Sequence, residues 1–435
     1  MLLPNQRIGP EGHLTVAGCD TVELAQQFGT PLYVLDEEMI RASCRAYRQA
    51  FEARLPAYEI AYASKALMIK AICKIMEQEQ MALDVASEGE LHTALEAGFP
   101  PSRIKLHGNF KKPSLLRMAL DNGIGRVVVD SLPELDELSA IAVDMGRTAD
   151  ILIRITPGVK ADTHERIRTG QEDSKFGLGL VGSMAMTATR KALELPNIAL
   201  HGFHCHIGSQ MLHTDGFGRA ASVVMEFIAN VAAETGYVAE QFDIGGGLGI
   251  RYTHDDVPPT VDRLADEICS ALAAAAEQHN VPIPELILEP GRSIVGEAGL
   301  TLYTIGVVKE IPGIRTYVSV DGGLSDNPRP SLYDAEYEAL IANRADQRPD
   351  TVVRVAGAHC ETDTLIPEIG LASPRPGDIM AVQATGAYNY AMASNYNRFT
   401  RPAVVLVSEG RADIVVERER LEDLTRLDAI PPRLT

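Results

Sequence analysis

Between residues 58 and 290 the chain alternates eight short, largely apolar runs with longer stretches of helical pattern, and this alternation constrains the fold more than any other feature. The runs are YEIAYAS, ALDVAS, IKLHG, RVVVD, ILIRI, ALHGFHCHI, FDIGG and ELILEP; the seven intervals include KALMIKAICKIMEQ and LPELDELSAIAVDM. Buried strands that each return through a helix form parallel sheets, and eight of them are what a closed (β/α)8 barrel requires. A doubly wound open sheet is the competing arrangement. After ELILEPGRSIV the rhythm changes. GLTLYTIGVVKEI, RTYVSVDGG, TVVRVAGAHC, DIMAVQATGAY and PAVVLVSEGRADIVVERE follow one another as strands without long helices. This predicts a second, all-β domain, a β-sandwich or β-barrel. The first residues, ending in TPLYVLD, have the same strand-and-turn character and complete that domain from the other end of the chain. The expected division is 1–36 with the β domain, 37–295 as the barrel and 296–435 as the remainder of the β domain.

Lys and Arg number 40 against 59 Asp and Glu, a formal net charge of −19, which repels nucleic acid and anionic membranes and favours a small-molecule enzyme. The six cysteines are scattered without C-x-x-C pairs, which points to a reduced, cytoplasmic protein. MLLPNQRIGPEGHL has neither a basic leader nor an apolar core, and no apolar run approaches membrane-spanning length, so neither export nor insertion is expected.

A (β/α)8 barrel carries its site at the C-terminal ends of the strands. There the sequence supplies Ser64 and Lys65 after the first run, Asp84 and Ser87 with the second, and His107 and Asn109 with the third. The sixth run offers His204, His206, Gly208, Ser209 and Gln210; the seventh runs into Gly245, Gly246 and Gly247, the eighth into Glu289, Pro290, Gly291 and Arg292. FDIGGGLGI is neither the G-x-G-x-x-G fingerprint nor a P-loop. Taken alone it fits either a phosphate cup of converging amides or a tight turn with no ligand. Lys65 is either a solvated lysine or, beside the apolar AYA, a Schiff-base amine of lowered pKa. Strand alternation puts Cys205 opposite His204 and His206, too few ligands for zinc, and no metal is expected. His204 has the character of a core histidine, whereas His206 is placed to face a ligand. Glu289 could cap local backbone and Arg292 could be a rim ion-pair residue. Together, a lysine for an aldehyde, a glycine-rich cup for a phosphate and a carboxylate for a ring nitrogen make a pyridoxal phosphate site.

The segments GTPLYVLDEE, YASKA, LDVASEGEL, HGN, RITPGVKADTHERIRTGQEDSKFGLGL, HCHIGSQ, DIGGGLGI, EPGRSIV, DGGLSDNPRPSLY, HCET and GAYNYAMASNYN cover nearly the whole chain. In them the sequence resembles the fold-type III pyridoxal phosphate decarboxylases, and within these the diaminopimelate decarboxylase family. The resemblance implies a barrel joined to a β domain, working as a head-to-tail homodimer in which HCET reaches into the neighbour's site. It implies that Lys65 takes the cofactor aldehyde, His206 stacks on the ring and Glu289 keeps the pyridine nitrogen protonated. Asp84, Ser209, Gly245, Gly246, Gly247, Gly291, Arg292 and Tyr388 would complete the cofactor site. Cys360 resembles the family's proton donor to Cα; its plain alternative is a structural thiol. The far end of a substrate with two amino-acid ends would meet Arg329 with Tyr333, Arg292 and Tyr388, and its ammonium Glu361. The implied reaction converts meso-2,6-diaminopimelate to L-lysine and carbon dioxide. A decarboxylase of lysine, ornithine or arginine on the same scaffold, or a non-catalytic carrier of the cofactor, are the other readings. Two departures stand out: Cys360-Glu361-Thr362-Asp363-Thr364 replaces the usual Cys-Glu-Ser-Gly-Asp, and HGNFKK differs from the commoner Asn-Asn-Lys form.

Overall fold

The structure is a computed structural model that describes residues 2–159 and 174–435; residues 160–173, in the long RITPGVK segment, lie outside the described residues. The chain divides into two compact units, Arg41–Ile250 with Val257–Ile294, and Met1–Ile40 with Arg251–Asp256 and Val295–Thr435.

All eight runs of the first unit are strands: β1 (Tyr58–Ala63), β2 (Ala82–Val85), β3 (Ile104–Leu106), β4 (Arg126–Val129), β5 (Ala149–Thr156), β6 (Ile198–His204), β7 (Gln241–Asp243) and β8 (Glu285–Leu288). Each pairs in parallel with the next, and β8 pairs with β1, so the sheet closes and the open-sheet alternative is excluded. The returning helices start and stop where short-range chemistry dictates. Ser87, grouped with the site residues on sequence grounds, instead caps Glu88–Glu96 by accepting from the Glu90 N–H at 3.1 Å. Gly146 ends Leu132–Met145 in the left-handed conformation.

Because successive strand residues face opposite sides, every second residue points into the barrel. At the N-terminal end of the strands Lys105 pairs with Glu59, Arg126 Nε donates to Gln241 Oε1 at 2.8 Å, and Gln241 Nε2 donates to Glu285 Oε2 at 2.7 Å. Contacts such as that of Lys105 on β3 with Glu59 on β1 skip a strand and cross the interior. One step up, Ala61, Ala82, Val128, Leu152 and Ile287 form an apolar layer. The next inward residues are Asp84, His107, Arg154, His204, Asp243 and, just past β8, Glu289. The polar site therefore rests on an apolar floor.

In the second unit Leu32–Asp36 lies inside the main sheet, antiparallel to Gly299–Ile311 and parallel to Ala403–Ser408. The N-terminal TPLYVLD run thus completes the β unit. Leu14, Val16, Leu32, Val34, Leu300, Leu302, Val405 and Val407 share its core. Among the described residues no helix is long and apolar enough to cross a membrane.

β6 shifts register against β5 between Leu200 and Gly202, and a Cβ on Gly202 would lie 1.8 Å from the Gln241 carbonyl oxygen of β7. Backbone cannot yield as a side chain can, so Gly202→Ala should destabilise the protein by about 2 kcal/mol or more. Thermal unfolding reads this as a clear fall in Tm; an unchanged Tm would mean that β6 and β7 do not pair in this register.

Candidate active site

Glu289 is the most constrained residue at the C-terminal end of the barrel. Its side chain is 3% exposed; His204 Nε2 stands 3.2 Å from one carboxylate oxygen and His107 Nε2 stands 2.8 Å from the other, Oε1. The His107 approach lacks hydrogen-bond alignment, so Oε1 is a buried oxygen with no hydrogen-bond partner among the described residues. The two imidazole rings meet edge to face, with centroids 4.9 Å apart. Burial alone would raise the Glu289 carboxyl, but the charge and hydrogen bonding of His107 and His204 hold the group well below the usual carboxylate range, while burial in turn lowers both imidazoles. Asp243 has the opposite fate. Burial, then the Glu289 charge, push it well above its ordinary value, so the pair is driven apart, Asp243 toward its protonated form and Glu289 toward its charged form. Burial also raises Asp84, with His107 opposing. The donor atoms of His107, His204, Asp243 and Glu289 lie within 4.8 Å of one another, a set whose chemistry would also suit a cation.

Lys65 sits in the 3₁₀ turn Ser64–Ala66 directly after β1, its Nζ 3.8 Å from Asp84 Oδ2. The side chain as a whole is 48% exposed. His206 follows His204 on the same strand face. Burial, then the charges of Lys65 and Arg154, hold its imidazole well below its ordinary value, leaving a neutral flat ring. Arg292 Nη2 donates to Ser209 Oγ at 2.9 Å, which joins the end of β8 to the loop after β6.

The three glycines answer first to packing. A Cβ on Gly246 would lie 1.9 Å from the Glu289 carbonyl oxygen, and one on Gly247 2.3 Å from that of Gly208. Gly245, at φ 75°, would clash with the Cys205 carbonyl at 2.6 Å. Two of their amides are engaged: Gly245 N–H donates to Asp243 Oδ1 at 2.9 Å and Gly246 N–H to His206 Nδ1 at 3.3 Å. Gly291 likewise lets the chain after β8 approach the Ala63 Cβ to within 2.9 Å of where a methyl would stand.

Of the residues expected to meet the substrate's far end, all but Arg292 lie in the β unit. Arg329 and Tyr333 open and close the short helix Arg329–Tyr333. Arg329 is 7% exposed; its guanidinium carbon lies 4.8 Å from the Tyr252 ring centroid and 5.6 Å from that of Tyr337, and Nη1 donates to the Tyr337 hydroxyl at 2.5 Å. Among the described residues its own phenol partners are Tyr337 and Tyr252, and no carboxylate comes within ion-pair distance. Cys360 and Glu361 are exposed; the Cys360 N–H donates to Asn397 Oδ1 at 3.0 Å and Glu361 Oε1 accepts from the Tyr396 hydroxyl at 2.6 Å. In the altered loop Asp363 accepts from the amides of His359 and Leu324 and meets His359 Nδ1 at 2.6 Å, which ties the cysteine loop to the 322–324 turn. Tyr388 is half-buried with φ 64°.

Sequence reasoning missed Asp243, Arg154 with its Asp130 partner at 3.8 Å, and the tyrosines 252 and 337. A charged residue at an inward position of an otherwise apolar strand was the available signal for the first two; nothing in spacing links Tyr252 to Arg329.

Residues 37–296 match the family model described as pyridoxal-dependent decarboxylase, pyridoxal binding domain. The chain is 47% identical to the diaminopimelate decarboxylase of Bacillus subtilis over 423 residues, covering 97% of this chain and 96% of that protein. It is 48% identical to that of Halalkalibacterium halodurans, with the same coverage of both chains. Among solved structures, diaminopimelate decarboxylase from M. jannaschii in complex with L-lysine superposes with a TM-score of 0.93 at 36% identity, covering 99% of both chains. The chain belongs to the diaminopimelate decarboxylase family of pyridoxal-dependent decarboxylases.

The burial of a neutral His206 has a measurable consequence. A folded-state pKa below the ordinary imidazole value of about 6.5 contributes stability that is present above that pH and lost as pH falls through the folded value. Between about pH 7.5 and about pH 5.5 the cofactor-free protein should therefore lose more Tm than its His206→Gln variant. An equal or larger loss in the variant would show that the ring is not held neutral by burial.

Proposed function

We propose that the protein decarboxylates meso-2,6-diaminopimelate to L-lysine and carbon dioxide, the last step of lysine biosynthesis, with pyridoxal 5′-phosphate as its cofactor. The observation that carries the substrate choice is Arg329: a buried guanidinium whose partners among the described residues are phenols and not carboxylates. Burying a cation without a counter-charge costs several kcal/mol, and a carboxylate at the far end of the substrate supplies that charge. Lysine and ornithine have no such group, and a site for either would leave Arg329 uncompensated.

The donor set fits the cofactor. Glu289 Oε1, buried and without a hydrogen-bond partner among the described residues, is the acceptor that a protonated ring nitrogen requires. Lys65 would take the aldehyde, His206 the ring face, Ser209, Arg292 and the Gly245–Gly247 turn the phosphate, with Asp84, Gly291 and Tyr388 beside them. When bound, the cofactor supplies an electron sink for the carbanion that departing carbon dioxide leaves at Cα. Glu289 keeps its charge against burial because His107 and His204 flank it, and Asp243 keeps its proton so that two carboxylates do not repel at that point. Cys360 hands a proton to Cα, and Glu361 neutralises the far ammonium.

The functional unit is a homodimer. The exposure of Cys360 and Glu361, two residues whose chemistry needs a desolvated site, supports their insertion into the site of a second copy. Sedimentation velocity of active holoenzyme showing a monomer would refute this.

Carbon dioxide release measured across diaminopimelate stereoisomers, lysine, ornithine and arginine should be confined to meso-diaminopimelate. Release from lysine or ornithine in preference would favour the other basic amino-acid decarboxylases, and release from none the non-catalytic carrier. Borohydride should trap the cofactor as a secondary amine on Lys65, and Lys65→Ala should lose several orders of magnitude in kcat. A label on any other lysine would reject the assignment.

A further inference from the structure

Arg329 is held by two aromatic residues from different parts of the chain. Tyr252 belongs to the short Arg251–Asp256 segment that leaves the barrel sequence to join the β unit, and Tyr337 lies eight residues beyond Arg329. The rings of Tyr252 and Tyr337 meet edge to face, centroids 5.5 Å apart and planes at 84°, so each braces the other. The guanidinium carbon lies 4.8 Å and 5.6 Å from their centroids, and one N–H donates to the Tyr337 hydroxyl. Tyr337 is itself 3% exposed and Tyr252 7% exposed, so neither can move aside without opening the core of the unit.

The chemistry of the clamp is informative. A carboxylate in either place would hold Arg329 more strongly but would cancel its charge. A phenol oxygen and two ring faces fix the plane of the guanidinium while leaving the full positive charge available. Burial pushes the Tyr337 hydroxyl up to about 12, so it accepts from Arg329 as a neutral phenol and not as a phenolate. Arg329 has five N–H donors, of which the Tyr337 oxygen takes one and the Tyr252 hydroxyl engages another.

We infer that Tyr252 and Tyr337 are positioning residues that present an uncompensated Arg329 to the far carboxylate of the substrate, and so set the preference for dicarboxylic over monocarboxylic diamino acids. This rests on the reading that Arg329 binds that carboxylate. On this inference the two tyrosines act through Arg329.

The test is a double-mutant cycle on the holoenzyme. Tyr337→Phe keeps the ring and removes the acceptor; Tyr252→Leu removes a ring face, and Tyr252→Phe keeps it. Tyr337→Phe and Tyr252→Leu should each raise KM for meso-diaminopimelate about tenfold while kcat changes by less than about twofold. They should weaken inhibition by the product L-lysine, which retains the far carboxylate, by a similar factor. Tyr252→Phe, which keeps the ring face and loses only the hydroxyl, should raise KM less than Tyr252→Leu, which separates loss of the ring face from loss of the hydroxyl. In an Arg329→Ala background neither tyrosine substitution should shift KM or lysine inhibition further. If Arg329→Ala is impaired but the tyrosine variants keep wild-type KM, or add their effects to it, the positioning role is wrong while the carboxylate reading stands. A fall in kcat with unchanged KM and lysine inhibition would mark the tyrosines as merely structural and also overturn it. If Arg329→Ala itself leaves KM and lysine inhibition unchanged, the carboxylate reading fails first.

Discussion

A charged carboxylate sealed into the end of a β-barrel is costly, and the site is arranged around keeping Glu289 in that state. Removing an ion from water costs several kcal/mol even after relaxation. Here the compensation comes from three other strands: His107 from β3, His204 from β6 and, by staying protonated, Asp243 from β7. The glycine run serves the same end. Gly246 passes so close that its missing side chain would stand 1.9 Å from the Glu289 carbonyl, and the Glu289 N–H donates to the Gly245 carbonyl at 2.8 Å. DIGGG and EPGR are thus two halves of one contact. The apolar layer of Ala61, Ala82, Val128, Leu152 and Ile287 separates this charge from the Lys105–Glu59 and Arg126–Gln241–Glu285 network below.

The β unit solves the complementary problem. Its buried cation, Arg329, is stabilised by ring faces and a phenol oxygen, which fix its position and leave its charge unspent. In the barrel the buried charge is an anion flanked by imidazoles; in the β unit it is a cation flanked by tyrosines. The first is held by the coulombic pull and hydrogen bonds of the histidines, the second by ring faces and phenol oxygens, and each is thereby biased toward its charged form.

The barrel was legible because closed parallel sheets bury both faces of every strand, and this writes eight apolar runs that turn chemistry separates cleanly. The place of Glu289, Lys65 and His206 at the strand ends was legible for the converse reason: a polar residue at the end of such a run interrupts a pattern. The glycines were legible as close approach but not as to what approached, since Glu289 lies more than 40 residues further along the chain. Asp243 was hidden by its membership of the same motif, which drew attention to the glycines beside it. Residues 251–256 follow the seventh strand without any break in composition, so nothing marked their departure to the β unit or the role of Tyr252. The altered cysteine loop has an anchor that spacing did not reveal: Asp363 reaches the 322–324 turn.

Replacing Glu289 by glutamine tests most directly whether the buried charge is what this arrangement protects. Glutamine has nearly the same shape but cannot hold a ring nitrogen protonated. The holoenzyme of Glu289→Gln should retain its cofactor on Lys65 by visible absorbance while kcat for meso-diaminopimelate falls about a hundredfold or more. Full cofactor occupancy with an unchanged kcat would contradict the account, because the charge would then have no part in the reaction.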